Sequence, residues 1–387
     1  MKDKKKLLMN FIFFSLLFIG TYYIIFKDQD IYSLVENLKH VNLVYIFIGF
    51  MLMICFYLLE AINVKNILNS FGEKITLKQT FNSTLIGAFF SAITPASSGG
   101  QPMQVYYLSK KDGIKVSHST LALLIHLLGH QFSIVSIGII CALLNPIIFE
   151  TKLMYLFIIG TSFNLIVLLL YFVLIFSNKI TNKLVNLAKR IIKLLKLNNY
   201  KEIDKKINDE LKLFHESSKY IKNHRKEFFK AMFIAILQVL SNYSVAYFVY
   251  RSFGLNDFSF LYIISLQAIL FCTVSCIPLP GSVGISETVF LIIYSLIYPE
   301  MLLHNALLLH RGVSFYIFVL INLIVVLVNS IKISKRDSHK WISFLFIIII
   351  CIYVLFIFIF IITYCFINIK PIYICKNSII WVNFCSF

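Results

Sequence analysis

The sequence predicts an all-α integral membrane protein, a polytopic helical bundle with two oppositely oriented re-entrant hairpins that form an inverted repeat. Composition supports the first part, because the 387 residues are 59% hydrophobic and only 14% charged, with a mean hydropathy of +0.83. Soluble domains carry about 25% charged residues. Two Gly/Pro-rich breaks inside apolar runs support the second part, since paired interruptions of this kind mark the binding sites of many transporters.

The positive charge of the chain predicts its orientation rather than its partners. The formal net charge is +18, and the lysines and arginines lie mainly between apolar runs, as the positive-inside rule describes for cytoplasmic loops. We therefore expect no nucleic-acid partner. The eight cysteines form no C-x-x-C pair and no His/Cys ligand spacing, so we expect neither a metal site nor a cofactor.

The first membrane half, residues 1–176, starts with a basic N-terminus that we place in the cytoplasm. The apolar run from Leu7 to Phe26 is long enough to cross a hydrocarbon core of about 30 Å. No small-x-small cleavage site follows it, so we interpret it as a first span and not as a signal peptide. A second span, from about Leu43 to Ala61, returns the chain to the cytoplasm.

The first break, T-P-A-S-S-G-G-Q-P, occupies residues 94–102. The apolar run 81–93 before it is too short to span, and the charged clusters on both flanks are basic. The sequence therefore predicts a re-entrant hairpin near 81–108 that enters from the cytoplasm, with its irregular backbone covered by protein or water. The spans His118–Leu144 and Leu153–Phe176 then cross outward and back.

A basic linker, residues 177–229, follows the first half. It contains 14 Lys/Arg and 6 Asp/Glu, which places it in the cytoplasm. The segment Lys179–Lys196 alternates basic with apolar residues, a pattern suited to the surface of an anionic inner leaflet. An ordinary solvated helical linker is the alternative interpretation.

The second membrane half, residues 230–340, reverses the orientation of the first. A span from Lys230 to Tyr250 crosses outward, and the flanks of the next break hold almost no Lys or Arg. We therefore predict a second re-entrant hairpin near 258–298 that enters from outside. A span from Met301 to Ile331 then crosses inward, and residues 341–387 form an extra C-terminal span with a short tail.

The spacing of landmarks supports a repeat relation between the two halves. Each half opens with a span, which starts 52 residues before Pro95 in the first half and 50 residues before Pro280 in the second. A histidine follows each proline, His126 after 31 residues and His310 after 30 residues. Opposite directions of hairpin insertion are what an inverted-topology repeat requires.

The hairpin tips are suited to bind an anion. Gly99, Gly100 and Gln101 lie just before a predicted helix start, and Gly281 and Gly284 hold a similar position in the second break. A helix N-terminus presents unpaired N–H groups and a partial positive charge, so a phosphodiester would find hydrogen-bond donors there. A simple kink or tight helix packing is the alternative explanation for these glycines.

Ionisable side chains at membrane depth usually face the interior or a water-filled cavity. Glu287 is our first candidate for an acid that meets a cationic headgroup or carries a proton. Arg311, next to His310, is a candidate phosphate ligand, or it snorkels to the interface. We interpret His126 and His130 as hydrogen-bonded residues between helices rather than ligands. The remaining ionisable residues at this depth are Glu60, His118 and His304.

The order of spans and motifs resembles the lysylphosphatidylglycerol synthetase transmembrane (flippase-like) domain family, the lipid-translocating half of the bacterial multiple peptide resistance factor. The resemblance covers roughly residues 7–335. The matching residues are Thr94, Pro95, Ser98, Gly99, Gly100, Gln101 and Pro102 in the first motif, and Pro278, Pro280, Gly281, Gly284, Ser286 and Glu287 in the second.

The resemblance implies a flippase-like translocase that moves a phospholipid between leaflets of the bacterial plasma membrane. Aminoacylated phosphatidylglycerol is one candidate substrate, and a separate aminoacyl-lipid synthetase is one candidate partner. The expected protein is multi-pass with a cytoplasmic N-terminus, and its oligomeric state stays open. The expected substrate-binding residues are Thr94, Ser98, Gly99, Gly100, Gln101, Gly281, Gly284, Ser286, Glu287, His310 and Arg311.

Two other functions remain open at this stage. Bifunctional relatives carry a soluble domain that loads lysine or alanine from tRNA onto phosphatidylglycerol, so a phosphatidylglycerol lysyltransferase is one alternative. We expect no enzyme, because the 53 residues of the linker are too few for such a domain and no G-x-S-x-G or P-loop motif occurs. A solute or ion carrier built on the same inverted hairpins is the other alternative.

Overall fold

The computed structural model describes residues 40–94, 97–144, 153–194, 200–275, 282 and 284–333. The predicted first span and the extra C-terminal span lie outside these ranges. The helices are α1 (Leu43–Ser70), α2 (Leu77–Ile93), α3 (Gly100–Lys110), α4 (Val116–Leu144), α5 (Leu153–Phe176), α6 (Asn178–Leu194), α7 (Tyr200–Asn223), α8 (Arg225–Ser252), α9 (Phe260–Val274), α10 (Ile285–Tyr294), α11 (Glu300–Arg311) and α12 (Ile317–Ile333), with a π-helical turn at Gly312–Tyr316.

The predicted fold class is confirmed, since every regular element in the described ranges is helical. Five helical stretches there are long and apolar enough to cross a membrane, namely α1, α4, α5, α8 and the stretch from α11 into α12. Large apolar side chains cover outward surfaces of these stretches, for example Ile166 with 63% of its surface exposed and Leu320 with 61%. Exposed apolar surface on this scale needs a hydrocarbon environment.

Local sequence signals set several helix boundaries. The Asn42 side chain accepts from the Val44 N–H at the start of α1, and Thr76 and Gln79 form a reciprocal capping box at the start of α2. The helix that contains the predicted second span extends beyond Ala61. The helix α1 continues to Ser70, because Ile67 and other side chains after Ala61 are buried in the bundle.

Helices α1 and α8 run antiparallel over most of their length. In four hydrogen bonds between these helices, the residue number of the α1 partner increases as the residue number of the α8 partner decreases. These bonds are Asn42 N to Ser252 O at 2.8 Å, Ser241 Oγ to Leu52 O at 2.8 Å, Gln238 Nε2 to Glu60 Oε2 at 3.3 Å, and Asn63 Nδ2 to Ala231 O at 3.0 Å. The starting helices of the two predicted repeats therefore point in opposite directions.

The elements that follow α1 and α8 also correspond. Helices α1 and α8 both have 28 residues, α2 and α9 have 17 and 15, and α3 and α10 have 11 and 10. The non-glycine residues with positive φ in the described part of the chain are Ser97 at 55° and Ser282 at 52°. Gly99 and Gly284 are the N-cap residues that follow them. Equivalent turns joined to antiparallel helices are what an inverted repeat requires.

In each hairpin, the first helix begins and the second helix ends at the same end of the bundle. At the base of the α2–α3 hairpin, Gln79 Nε2 donates to Asp112 Oδ1 at 3.0 Å. Burial raises the pKa of the Asp112 carboxyl, and the hydrogen bond from Gln79 opposes that shift. At the base of the α9–α10 hairpin, Phe258 and Tyr298 both pack against Tyr250, with ring centroids 6.2 Å and 5.5 Å away.

The two hairpin bases lie at opposite ends of the bundle. The base with Asp112 lies next to α4, where the Ser117 N–H donates to the Glu210 carboxylate of α7 at 2.7 Å. The base with Tyr298 lies where α8 ends and α1 begins. Helices of 17 and 11 residues are about 25 and 16 Å long, shorter than a bilayer core of about 30 Å. Insertion of these hairpins into a membrane stays a prediction.

The basic linker folds into the helical pair α6–α7, which packs against the bundle. Lys189 Nζ lies 3.0 Å from Asp204 Oδ1 and joins the two helices, and the Ser218 hydroxyl donates to the Ile175 carbonyl of α5. Apolar side chains of α6 stay exposed, among them Leu184 and Leu187. This exposed face fits the predicted contact with the inner leaflet, which stays a prediction, as do the proposed domain boundaries.

Thiol accessibility tests the opposed orientation of the two hairpins. We expect single cysteines at Lys74, Lys110 and Asn208 to be protected from impermeant thiol reagents in intact cells, because positive charge holds these loops inside. Single cysteines at Asn256 and Glu300 should be labelled. All five native side chains are exposed, so burial in the protein will not hide them. If a cysteine at Lys110 is labelled from outside, the segment before it crosses the membrane fully and the prediction of a re-entrant hairpin is contradicted.

Candidate functional site

The tip of the first hairpin is a tight turn held by Thr94. Its hydroxyl donates to the Phe90 carbonyl at 2.6 Å and accepts from the Gly99 N–H at 2.9 Å. Thr94 therefore has a structural task at the tip. Ser98 and Gln101 are half-buried, and no hydrogen bond joins their side chains to the described part of the chain. These two side chains and the exposed hydroxyl of Ser97 are the polar groups of the first motif that are available to a substrate.

The glycines of the first motif allow α2 and α3 to approach each other closely. A Cβ atom on Gly100 would lie 1.9 Å from Ser91 Oγ and 2.8 Å from the Gly87 carbonyl oxygen. A Cβ atom on Gly99 would lie 2.7 Å from the Thr94 side chain. Tight helix packing, the alternative left open by the sequence, thus explains both residues without a ligand. Their role in substrate binding stays a prediction.

The second motif places Glu287 in a fully buried position at the start of α10. Its Oε2 atom accepts from the Gly284 N–H at 2.6 Å and from the Ser286 hydroxyl at 3.0 Å. Its Oε1 atom accepts from Arg311 Nε at 2.7 Å. Gly284 has φ of +89°, which favours glycine. Pro278, Pro280 and Gly281 lie outside the described residues.

Arg311 lies where α11 passes into the π-helical turn. Its guanidinium group stacks over the Phe315 ring, 4.6 Å from the centroid. His310 is buried beside Phe290, with ring centroids 5.3 Å apart, and neither ring nitrogen has a hydrogen-bond partner among the described residues. π-helical turns are frequent at functional sites. The predicted headgroup acid and the predicted phosphate ligand are thus the two members of one buried ion pair.

A second buried polar centre surrounds Glu60 in the middle of α1. Gln104 Nε2 of α3 donates to Glu60 Oε1 at 2.8 Å, and Gln238 Nε2 of α8 donates to Oε2 at 3.3 Å. His126 Nε2 of α4 lies 3.8 Å from Oε2. Asn63 contacts His126 at 3.3 Å. We call Glu60, Asn63, Gln104, His126 and Gln238 the Glu60 cluster.

The sequence matches the family described as "Lysylphosphatidylglycerol synthase TM region" over residues 11–322. The chain belongs to this family. A relative in Archaeoglobus fulgidus, described as a UPF0104 membrane protein, is 26% identical over 309 residues, which cover 76% of this chain and 89% of the relative. The resemblance drawn from the two motifs is therefore confirmed.

Within this member of the lysylphosphatidylglycerol synthase TM region family, the structure joins some predicted site residues and adds others. It brings Gly284, Ser286, Glu287 and Arg311 into direct contact, whereas His310 turns to Phe290. The sequence interpretation assigned no role to Glu60 and left Gln104 and Gln238 unnoticed. The available signal was polar residues inside apolar spans, and their convergence depends on how four helices pack.

Proposed function

We propose that this protein is a lipid translocase that moves a phospholipid between the two leaflets of a membrane. The observation that carries this proposal is the pair of helical hairpins at opposite ends of one bundle, attached to the antiparallel helices α1 and α8. Transporters with inverted repeats expose one site alternately to each side by moving one repeat against the other. Membership of the family and the apolar outer surface support a substrate that is itself part of the membrane.

The hairpin tips suit the polar part of a phospholipid. The helices α3 and α10 start at the tips with the glycine N-caps Gly99 and Gly284, and the first N–H groups of a helix favour an anion such as a phosphodiester. At the first tip, the Ser98 hydroxyl and the Gln101 amide can add hydrogen bonds to phosphate oxygens. The phosphate is common to all phospholipids, so this contact gives affinity without selecting a headgroup.

The Glu287–Arg311 pair makes aminoacylated phosphatidylglycerol our preferred substrate. A phosphate alone would compete with Glu287 for Arg311 and remove the charge partner of a buried carboxylate. An ammonium group alone would compete with Arg311 for Glu287. A headgroup that carries both charges can satisfy both partners at once. The pair therefore favours a lipid with an ammonium group and a phosphate over plain phosphatidylglycerol.

Leaflet exchange in proteoliposomes tests the proposed function. The purified protein should accelerate the exchange of fluorescent phosphatidylglycerol and of its lysyl derivative, with the lysyl lipid faster. The double variant S98A/Q101A should slow both by roughly tenfold or more, because hydrogen bonds to a charged group contribute about 1.5–3 kcal/mol each. Its stability should match the wild type, since neither side chain bonds to the described chain.

Two controls separate the translocase from its alternatives. Protein incubated with phosphatidylglycerol and lysyl-tRNA should form no lysyl lipid by mass spectrometry, and its formation would support the lysyltransferase. Exchange rates equal to those of protein-free liposomes would contradict the proposal. If the wild type is active and S98A/Q101A retains full activity, the headgroup does not bind at the first tip.

A further inference from the structure

The described residues hold two carboxylates deep in the bundle, and their surroundings differ. Glu287 has the guanidinium of Arg311 at 2.7 Å, so its negative charge is balanced. Glu60 contacts two amides and a histidine, and no lysine or arginine pairs with it in the described ranges. An unbalanced charge at membrane depth is costly. Of the two carboxylates, Glu60 is therefore the one that gains most from binding a cation.

Hydrogen bonding determines the state of His126. Asn63 Nδ2 donates to the Ala231 carbonyl at 3.0 Å, which fixes the orientation of the Asn63 amide. The same nitrogen lies 3.3 Å from His126 Nδ1, so Nδ1 must be the acceptor and the proton of the neutral ring must be on Nε2. The Nε2–H group faces Glu60 Oε2 at 3.8 Å. His126 therefore presents an N–H group to the carboxylate at a distance too long for a direct hydrogen bond.

Three buried acceptors in the Glu60 cluster lack donors. Asn63 Oδ1, Gln104 Oε1 and Gln238 Oε1 have no hydrogen-bond partner among the described residues, and these side chains are 0%, 4% and 1% exposed. Buried amide oxygens without donors are rare and are usually satisfied by water. The Glu60 side chain keeps 15% of its surface exposed. The three amide oxygens of the cluster can therefore accept further hydrogen bonds, and the Glu60 carboxylate is accessible to water.

The titratable groups around Glu60 are few. Tyr57 on α1 and His130 on α4 interact with it electrostatically, together with His126. Helices α3 and α8 contribute the amides Gln104 and Gln238, and α2 contributes no titratable group that faces Glu60 in the described residues. Among the described residues, no fixed cation beside Glu60 therefore competes with a proton for this carboxylate.

We propose that Glu60 binds and releases a proton that couples lipid movement to a proton gradient. This inference rests on the proposed translocase function. A proton from hydronium adds to a carboxylate oxygen and leaves a water molecule, and release reverses this step. Protonation weakens the charge-assisted hydrogen bond from Gln104. Because Gln104 belongs to α3 and its side chain lies over Gly87 of α2, the charge of Glu60 controls how firmly the first hairpin is held.

Glu60→Gln and the matched variant Glu73→Gln test this proposal in proteoliposomes with and without an imposed pH gradient. Glu73 is a carboxylate in the loop after α1 that bonds to His118 at 2.6 Å, outside the Glu60 cluster. We expect the gradient to accelerate exchange of labelled lipid by the wild type and by E73Q. For E60Q the ratio of rates with and without the gradient should fall to one.

Other outcomes distinguish the failure of this inference from the failure of the proposed function. If the rate of lipid exchange by the wild type does not change with the pH gradient, or changes with a sodium gradient instead, proton coupling is contradicted. The translocase proposal is not affected by that result. If no lipid is exchanged, the translocase proposal fails. Infrared spectroscopy then still tests protonation of Glu60. A carboxyl C=O band that titrates in the wild type must be absent from E60Q. If E60Q does not fold, Glu60→Asp should keep the gradient response with a shifted pH midpoint, and loss of that response would contradict the proposal.

Discussion

Replacing Arg311 with methionine should remove a large part of the protein's stability together with its lipid exchange. Arg311 Nε lies 2.7 Å from Glu287 Oε1, and Glu287 is completely buried. Loss of one member of a buried pair leaves the other charge without compensation and costs about 3–5 kcal/mol. Denaturant unfolding of the purified protein in detergent should therefore show a clearly lower midpoint for R311M than for the wild type.

The double variant R311M/E287Q is the matched control for this prediction. It removes both charges, so it should be more stable than R311M alone, as buried ion pairs replaced by neutral groups often cost little. The difference in a double-mutant cycle measures the coupling between the two side chains. If the effects of the two single variants simply add, the pair contributes nothing and the short contact has no energetic importance.

The same double variant separates a structural role from a binding role. If the Glu287–Arg311 pair only holds α10 against α11, R311M/E287Q should recover both stability and lipid exchange. If the pair also receives the headgroup, the double variant should be stable and still fail with lysylphosphatidylglycerol, while plain phosphatidylglycerol is less affected. Comparing the two lipids in one assay distinguishes these cases.

Replacing Gly100 with alanine should also have a large effect, because the new methyl group has no space. Its Cβ would lie 1.9 Å from Ser91 Oγ and 2.8 Å from the Gly87 carbonyl. Overpacking of a close contact costs about 1–3 kcal/mol, and here it must push α3 away from α2 at the hairpin tip. We expect lower thermal stability and little lipid exchange from G100A.

Two further variants show whether Gly100 serves packing or binding. Gly312→Ala is the control, since nothing lies within 4 Å of a Cβ atom at that position, and it should behave like the wild type. The combination G100A/S91A removes the hydroxyl oxygen from the nearest contact. If packing is the reason for glycine, this combination should recover part of both stability and exchange. Recovery of stability without exchange would mean that a ligand approaches Gly100 directly.

The sequence by itself determined the all-helical membrane character, and it placed the two breaks that separate α2 from α3 and α9 from α10. Apolar length and loop charge are properties of continuous segments, so they can be read without knowing which helices touch. The same holds for local turns: the two motifs predicted breaks, and each contains a serine with positive φ, Ser97 or Ser282, followed by a glycine N-cap. Chain-local rules also account for Glu287 as a helix-capping residue.

Only the tertiary structure decided which polar groups meet. Glu287 and Arg311 looked like two separate headgroup ligands in the sequence, and the packing of α10 against α11 made them one neutral pair. Glu60 had no assigned role in the sequence, yet α3, α4 and α8 direct Gln104, His126 and Gln238 toward it. The charge of a buried carboxylate depends on such distant partners, because neighbours along one helix cannot surround it.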